Sequence, residues 1–320
     1  MQDNQSSRGT LRAICLSASR GIAKSETNRI RLIENYGLEN DAHAGTWHRQ
    51  VSILCLEEIE NFRARGAEVR FGDFGENLII DGINLKDYPV GTRIRIADAL
   101  LETTQIGKKC HHHCKIFHRM GDCIMPRCGV FARVLSSGTV TVGAPVQVTF
   151  IPQYSFTAAV VTLSDTGFRG EREDRSGAAA ERILKENSYM VLERVLLPDD
   201  REMIEKELLR LSDERHADLI ITTGGTGFSQ RDVTPEATMA VATRNAPGIA
   251  EYIRSESFKI TSRAMLSRAV SVIRNNTLII NLPGSEKAVT ECMQMIMEPL
   301  QHGLGILLGR EKECGRSTVQ

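Results

Sequence analysis

From Thr157 onward the chain alternates short apolar runs with amphipathic ones, and this restricts the fold more than any other feature. "TAAVVTLSD" reads as a strand buried on both faces, "SGAAAERILKEN" as an amphipathic helix, "YMVLERVLLP" as a strand and "DDREMIEKELLRLSDE" as a helix. "ADLIITTGG", "TPEATMAVATR", "NTLIINLPG" and "SEKAVTECMQMIMEPLQHGLGILL" continue the alternation. Strand and helix in turn build a mainly parallel sheet with helices on both faces, a three-layer α/β domain. Such sheets bind ligands beyond the carboxyl ends of their strands.

Upstream the rhythm differs. "TLRAICLSAS", "QVSILCL", "ENLIIDG", "TRIRIADALLETTQI", "FARVL" and "TVTVGAPVQVTF" are short β-rich runs broken by Gly, Asp, Asn and Pro. Only "CLEEIENFRARG" reads as a helix, closing on Gly66. Many short strands with turn signals predict a barrel or sandwich. The boundary falls near Pro152, and 320 residues suffice for two cores. We expect a mostly-β domain over 9–151 and an α/β domain over 155–310. Net charge is zero and no apolar run could span a membrane, which argues against bulk nucleic-acid or membrane binding. The polar start "MQDNQSSRGT" lacks a signal-like apolar region, so a cytoplasmic chain with free thiols is expected.

The strongest local signal is "LIITTGGTGFSQRDVTPEAT": strand, glycine loop, acidic turn, helix start. Gly224, Gly225 and Gly227 let backbone amides approach an anion closely. Thr234 is placed to cap the next helix, and Pro235 suits its first turn. No Lys-Ser/Thr follows, so this is not a Walker loop, and Gln230 occupies the third glycine position of a Rossmann fingerprint. A plain β–α turn is the competing reading. "LSDTGFRGEREDRSG", "LLPDD" and "LIINLPGS" also end predicted strands, so they can converge on the same crevice.

"TTGGTGFSQRDVTPEAT", "PGIAEYIR", "AMLSRAV" and "LIINLPGSEKAV", in this order and spacing, resemble the molybdopterin adenylyltransferases and their relatives in molybdenum-cofactor synthesis, from about Thr157 to Leu308. The resemblance implies Mg²⁺-dependent transfer of AMP from ATP to molybdopterin, a dithiolene pterin monophosphate, with release of pyrophosphate. It implies Asp199 and Asp232 as catalytic residues, with Asp200 an alternative to Asp199. It implies a binding set of Ser164, Asp165, Asp174, Ser176, Gly224, Gly225, Thr226, Gly227, Glu251, Pro283, Gly284 and Ser285. A homo-oligomer, a trimer through the α/β domain, is also implied. A non-catalytic pterin-binding and delivery module is the alternative.

The stretch "IGKKCHHHCKIFHRMGDCIMPRCG" concentrates cysteine and histidine. Cys110, Cys114 and His118 share a face if helical. Zinc or another metal on Cys110, Cys114 and Cys123 is one reading. A reactive thiol beside Lys108 and Lys109 is a second, and small buried cysteines beside a solvated histidine run a third.

"NDAHAGTWHRQVSIL", "FGENL", "GKKCHHHCKI", "GDCIMPRCGVFARV" and "GTVTVGAPVQV" together resemble the MOSC domain, a β-barrel named after the C-terminal part of molybdenum-cofactor sulfurases. The resemblance implies that Cys110 carries sulfur or faces molybdenum in bound cofactor. An external sulfur donor or a molybdoenzyme is then a partner. Asp41, His43, Trp47 and Arg49 could line the same pocket, or form only a capped loop with an aromatic anchor.

Overall fold

The computed structural model describes residues 8–108 and 115–310. The chain divides into two compact units, residues 1–152 and 153–320.

The first unit contains β1 (Arg8–Leu16), β2 (Ser25–Thr27), β3 (Arg29–Ile33), β4 (Gly37–Leu38), β5 (Val51–Cys55), α1 (Leu56–Ala64), β6 (Leu78–Asp81), β7 (Arg93–Ile96) and β8 (Ala99–Ile106). After them come α2 (Lys115–Met120), α3 (Met125–Cys128), β9 (Val130–Ser136), β10 (Gly138–Thr141) and β11 (Pro145–Phe150). The main sheet runs β11-β7-β8-β9-β5-β6-β1-β2, and β11 also pairs with β1, so seven strands close into a barrel. Closure leaves those strands without a free edge.

Alternation decides which side chains fill the barrel. In β7 ("RIRI"), Ile94 and Ile96 point into the interior cluster. The outward Arg93 meets Glu102, its cross-strand partner, at 3.0 Å. Arg133, opposite Glu102 on its other side, donates to the same carboxylate at 2.7 Å. The strand β5 is buried at every residue. Val51 and Ile53 face the barrel core, whereas Leu54 joins an outer cluster with Ile59 and Phe62 of α1. This double burial accompanies the parallel pair β5–β6, which α1 bridges. The helix α1 stops where Gly66 adopts φ +90, as the sequence predicts. The short helices α2 and α3 were not legible in it.

The second unit contains β12 (Phe156–Leu163), α4 (Asp165–Phe168), α5 (Arg175–Glu186), β13 (Tyr189–Leu197), α6 (Arg201–Leu209), β14 (Leu219–Thr223) and α7 (Thr234–Ala240). Then follow β15 (Arg244–Asn245), α8 (Pro247–Ile260), β16 (Ser271–Arg274), β17 (Thr277–Leu282) and α9 (Glu286–Leu307). The sheet order is β13-β12-β14-β17-β16-β15. The neighbours β13–β12, β12–β14 and β14–β17 pair parallel, while β16 and β15 continue antiparallel. Both faces are covered. Ala158 and Val160 of β12 pack into a cluster with Ile183 of α5 and Met293 of α9. Ala159, Val161 and Leu163 pack into another with Ile204 of α6 and Ala237 of α7. The chain leaves β12 toward β13 on one side and returns to β14 on the other. The carboxyl ends of β12 and β14 therefore flank a topological switch point. No helix among the described residues is long and apolar enough to cross a membrane.

Candidate active site and the cysteine segment

The loop after β12 begins at Ser164, whose hydroxyl accepts from Gly167 N at 3.1 Å and starts α4. Its own amide donates to Leu197 O at 2.9 Å, joining the ends of β12 and β13. Asp174 caps α5 by accepting from Gly177 N at 2.8 Å, and also accepts from Thr162 Oγ1 at 3.0 Å. A Cβ on Gly177 would lie 2.3 Å from Thr162 Oγ1, so only glycine allows this closeness. Ser176 Oγ and Thr223 Oγ1 lie 3.0 Å apart, linking the loop to the end of β14.

Two aspartates from different strand ends face each other. Asp199 N donates to Asp165 Oδ1 at 3.1 Å, and Asp165 N donates to Asp199 Oδ2 at 3.2 Å. Arg231 forms a fork on Asp165, with contacts of 2.8 and 3.1 Å, and holds that carboxyl below its usual range. Asp199 has no such partner. Its Oδ1 is buried without a hydrogen bond. Burial, reinforced by the charges of Asp165 and Asp232, pushes its pKa up. The neighbouring Asp200 instead caps α6 through Met203 N at 2.9 Å. Of the two adjacent acids, Asp199 is the one directed into the loops.

The glycine loop closes over this pair. Gly224 and Gly225 have φ +97 and +62. A Cβ on Gly224 would meet Leu163 O at 2.3 Å, and one on Gly225 would meet Thr234 Oγ1 at 2.3 Å and Asp199 Oδ1 at 3.1 Å. Gly224 N donates to Leu282 O at 3.1 Å, so this amide serves the fold. Asp232 Oδ2 accepts from Ser229 N at 2.9 Å and would lie 2.9 Å from a Cβ on Gly227. Thr234 does not act as the expected cap: Val233 precedes the helix, without a side-chain cap bond. Thr234 Oγ1 donates instead to Gly224 O at 3.0 Å, and its amide to Gly225 O at 3.2 Å. The hydroxyl thus ties the start of α7 to the glycine loop instead of capping the helix.

Arg268 braces the loop from β16's approach. Its Nε donates to Gly227 O at 2.7 Å, its amide donates to Thr226 O at 2.9 Å, and its guanidinium also reaches Asp232 O and Glu236. Arg254 of α8 fixes that segment through Ser267 O and Ala269 O, each at 3.0 Å. Arg231 and Arg268 were missed as individual residues, although both lie in the stretches "SQRDVTP" and "AMLSRAV". After β17, Pro283 leads to Gly284, where a Cβ would stand 3.3 Å from Gly224 Cα, and Ser285 caps α9. The loop residues named from the sequence thus come to one edge of the sheet. Glu251 lies exposed on α8.

The clustered donors are hard carboxylate oxygens, and the orphaned Asp199 Oδ1 suits a cation such as Mg²⁺. Among the described residues no group of three or more His, Cys, Asp or Glu is arranged to hold an ion by itself. Mg²⁺ commonly takes one or two carboxylates and completes its shell with phosphates and water.

In the first unit Cys110, Cys114 and His111 to His113 lie outside the described residues. Cys123 and Cys128 are buried in the outer apolar cluster. Cys128 Sγ donates to Glu58 at 3.2 Å, and burial pushes its pKa up to about 11. His118 is exposed on α2. Asp41 is buried and paired with Lys24 at 3.1 Å, and it also accepts from Ser17 N, His43 N and Asn77 Nδ2. It anchors the loop from beneath. Above it Trp47 Nε1 donates to His43 O at 3.0 Å, and the Arg49 guanidinium lies 5.0 Å from Trp47 and 5.6 Å from Phe131.

Comparison with known proteins agrees with both halves. Residues 159–302 match the family described as "Probable molybdopterin binding domain", and residues 40–147 match the MOSC domain. The molybdopterin adenylyltransferase of Helicobacter pylori strain J99 is 39% identical over 50% of this chain and 93% of its own length. That of Escherichia coli K12 is 41% identical over 43% of this chain and 72% of its own. The solved MoaB of Thermus thermophilus, a molybdopterin biosynthesis enzyme, is 42% identical over 48% of this chain and 97% of its own, with TM-score 0.46. The chain therefore belongs to the molybdopterin adenylyltransferase family, with an MOSC domain preceding the family's domain.

Proposed function

We propose that the α/β unit, residues 155–310, transfers AMP from ATP to molybdopterin. The observation that carries this reading is the buried, unpartnered Asp199 Oδ1, set among Asp165, Asp232 and a glycine loop too tight for any side chain. A terminal phosphate oxygen of the pterin attacks the α-phosphorus of ATP, the bond to the β-phosphate oxygen breaks, and pyrophosphate leaves. Such a transfer needs in-line positioning and charge neutralisation more than covalent help. The amides of Gly225, Thr226 and Gly227 are suited to phosphate oxygens. Asp199 and Asp232 would hold Mg²⁺, which supplies positive charge to the triphosphate. Asp165, fixed by Arg231, orients Asp199, while Asp174 ties the first loop to β12 and Ser176 ties it to β14. The remaining assignments, Ser164, Glu251, Pro283, Gly284 and Ser285, rest on resemblance and on the loops that carry them. The three-layer form with a mainly parallel sheet suits this reading, since it gathers strand ends at one edge. ATP labelled at the α-phosphate should pass its label to molybdopterin; label appearing only in free AMP would contradict the proposal.

The MOSC unit, residues 9–151, is proposed to carry sulfur or to hold molybdenum cofactor through Cys110, served by an external sulfur donor or a molybdoenzyme. Cys123 and Cys128 are both buried, which argues against either of them as the functional thiol. A metal on Cys110, Cys114 and Cys123 is the alternative outcome of the labelling test described below. Assembly as a trimer through the α/β unit and a cytoplasmic location complete the proposal.

A further inference from the structure

Phe228 follows the glycine loop and is 70% exposed, the most exposed large apolar side chain among the described residues. Its backbone is not loose. Gly227 O on one side is held by Arg268 at 2.7 Å, and Ser229 N on the other is held by Asp232 at 2.9 Å. Asp232 N closes the turn onto Ser229 O at 3.0 Å. Such a loop fixes the point from which the ring projects, and leaving the ring in water forfeits the burial that a phenylalanine ordinarily contributes. Phe228 borders an open groove of about 520 Å³ that is also lined by Gln230, Asp232, Glu236 and Arg268. A flat apolar face beside amide, carboxylate and guanidinium groups is what a planar nitrogen heterocycle needs: stacking on its face and hydrogen bonds at its edge.

We infer that Phe228 is the stacking platform for the heteroaromatic ring of a substrate, and so a specificity-determining residue of this site. The inference rests on the proposed adenylyl transfer. Adenine of ATP and the pterin of molybdopterin share the chemistry, and binding measurements on each distinguish them.

The test uses the full chain and its Phe228→Ala and Phe228→Trp variants. Calorimetry gives Kd for a non-hydrolysable ATP analogue and, separately, for molybdopterin under anaerobic conditions. Loss of one stacked ring corresponds to a rise in Kd of about tenfold. The expected result is such a rise in Phe228→Ala for one ligand, with recovery in Phe228→Trp; the affected ligand names the ring. Unchanged Kd for both ligands would overturn the inference. A change in oligomeric state of Phe228→Ala with both Kd values intact would also overturn it, since the ring would then serve an interface. If the wild-type chain binds both ligands but makes no product, the adenylyl-transfer reading fails while the stacking result still stands.

Discussion

Replacing Gly225 by alanine should damage the second unit more than its single methyl group suggests. The residue has φ +62, and the new Cβ would lie 2.3 Å from Thr234 Oγ1. Thr234 is fully buried, and its hydroxyl donates to Gly224 O at 3.0 Å, so it has little room to retreat. The left-handed backbone costs an alanine about 1 kcal/mol. Displacing the buried hydroxyl from its acceptor costs about 1–3 kcal/mol more. The sum is about 2–4 kcal/mol. Gly170 supplies the control: it also has positive φ, +74, but its Cβ would meet nothing within 4 Å. Gly170→Ala should therefore lose only the backbone share, about 1 kcal/mol. The chain's single tryptophan, Trp47, lies in the first unit, so its fluorescence follows that unit alone. Urea unfolding read by circular dichroism at helix wavelengths follows mainly the second. Equal losses for the two variants would refute the steric reasoning. Thr234→Ala added to Gly225→Ala should recover part of the stability, because it removes the atom in the way.

Other perturbations give further tests. Asp199 titrates above its usual value in the folded chain, so the fold holds that proton more tightly than the unfolded chain does. Stability then falls as pH rises from the ordinary aspartate value through the raised one, and Asp199→Asn should melt higher than wild type at pH 7.5 while losing transfer activity. The melting gap should close near pH 3.5, and a constant gap would contradict the assignment. Asp232→Asn should keep its fold and lose adenylylation by about a hundredfold or more, a barrier of a few kcal/mol. Near-normal turnover at saturating Mg²⁺ would remove Asp232 from the site. Glu76, buried in the first unit and accepting from Gly72 N and Phe74 N, is pushed up to about 7 by burial. The first unit should lose stability between pH 4.5 and about 7, read by Trp47 fluorescence, and a flat profile would oppose this. Iodoacetamide at neutral pH should label Cys110 ahead of Cys15, whose pKa burial raises to about 12. Joint labelling of Cys110, Cys114 and Cys123 only after chelation would favour a metal site.

Much of the second unit was legible because each long element carries its own period. The strand β12 is apolar at nearly every position, and α5 alternates as an amphipathic helix. The elements β15 and β16 have two and four residues, too short for any period to register. The helix α8 was missed despite Pro247 in its first turn. In the first unit alternation located strands, but barrel closure depends on β11 meeting β1 across the whole unit, which no local pattern encodes. The same limit applies to the site. Its loops follow strand ends and could be named in advance. The meeting of Asp165 with Asp199, and of Asp165 with Arg231, joins residues separated by 34 and 66 positions. Asp199 and Asp200 are equivalent in sequence; the cap formed by Asp200 and the reciprocal bonds between Asp199 and Asp165 separate them.

The most direct test of the account is pyrophosphate release by the purified full chain with ATP and Mg²⁺, measured with and without molybdopterin. The account predicts release only when molybdopterin is present, one pyrophosphate for each adenylyl-molybdopterin formed. Tight molybdopterin binding without pyrophosphate release, or release independent of the pterin, would contradict it.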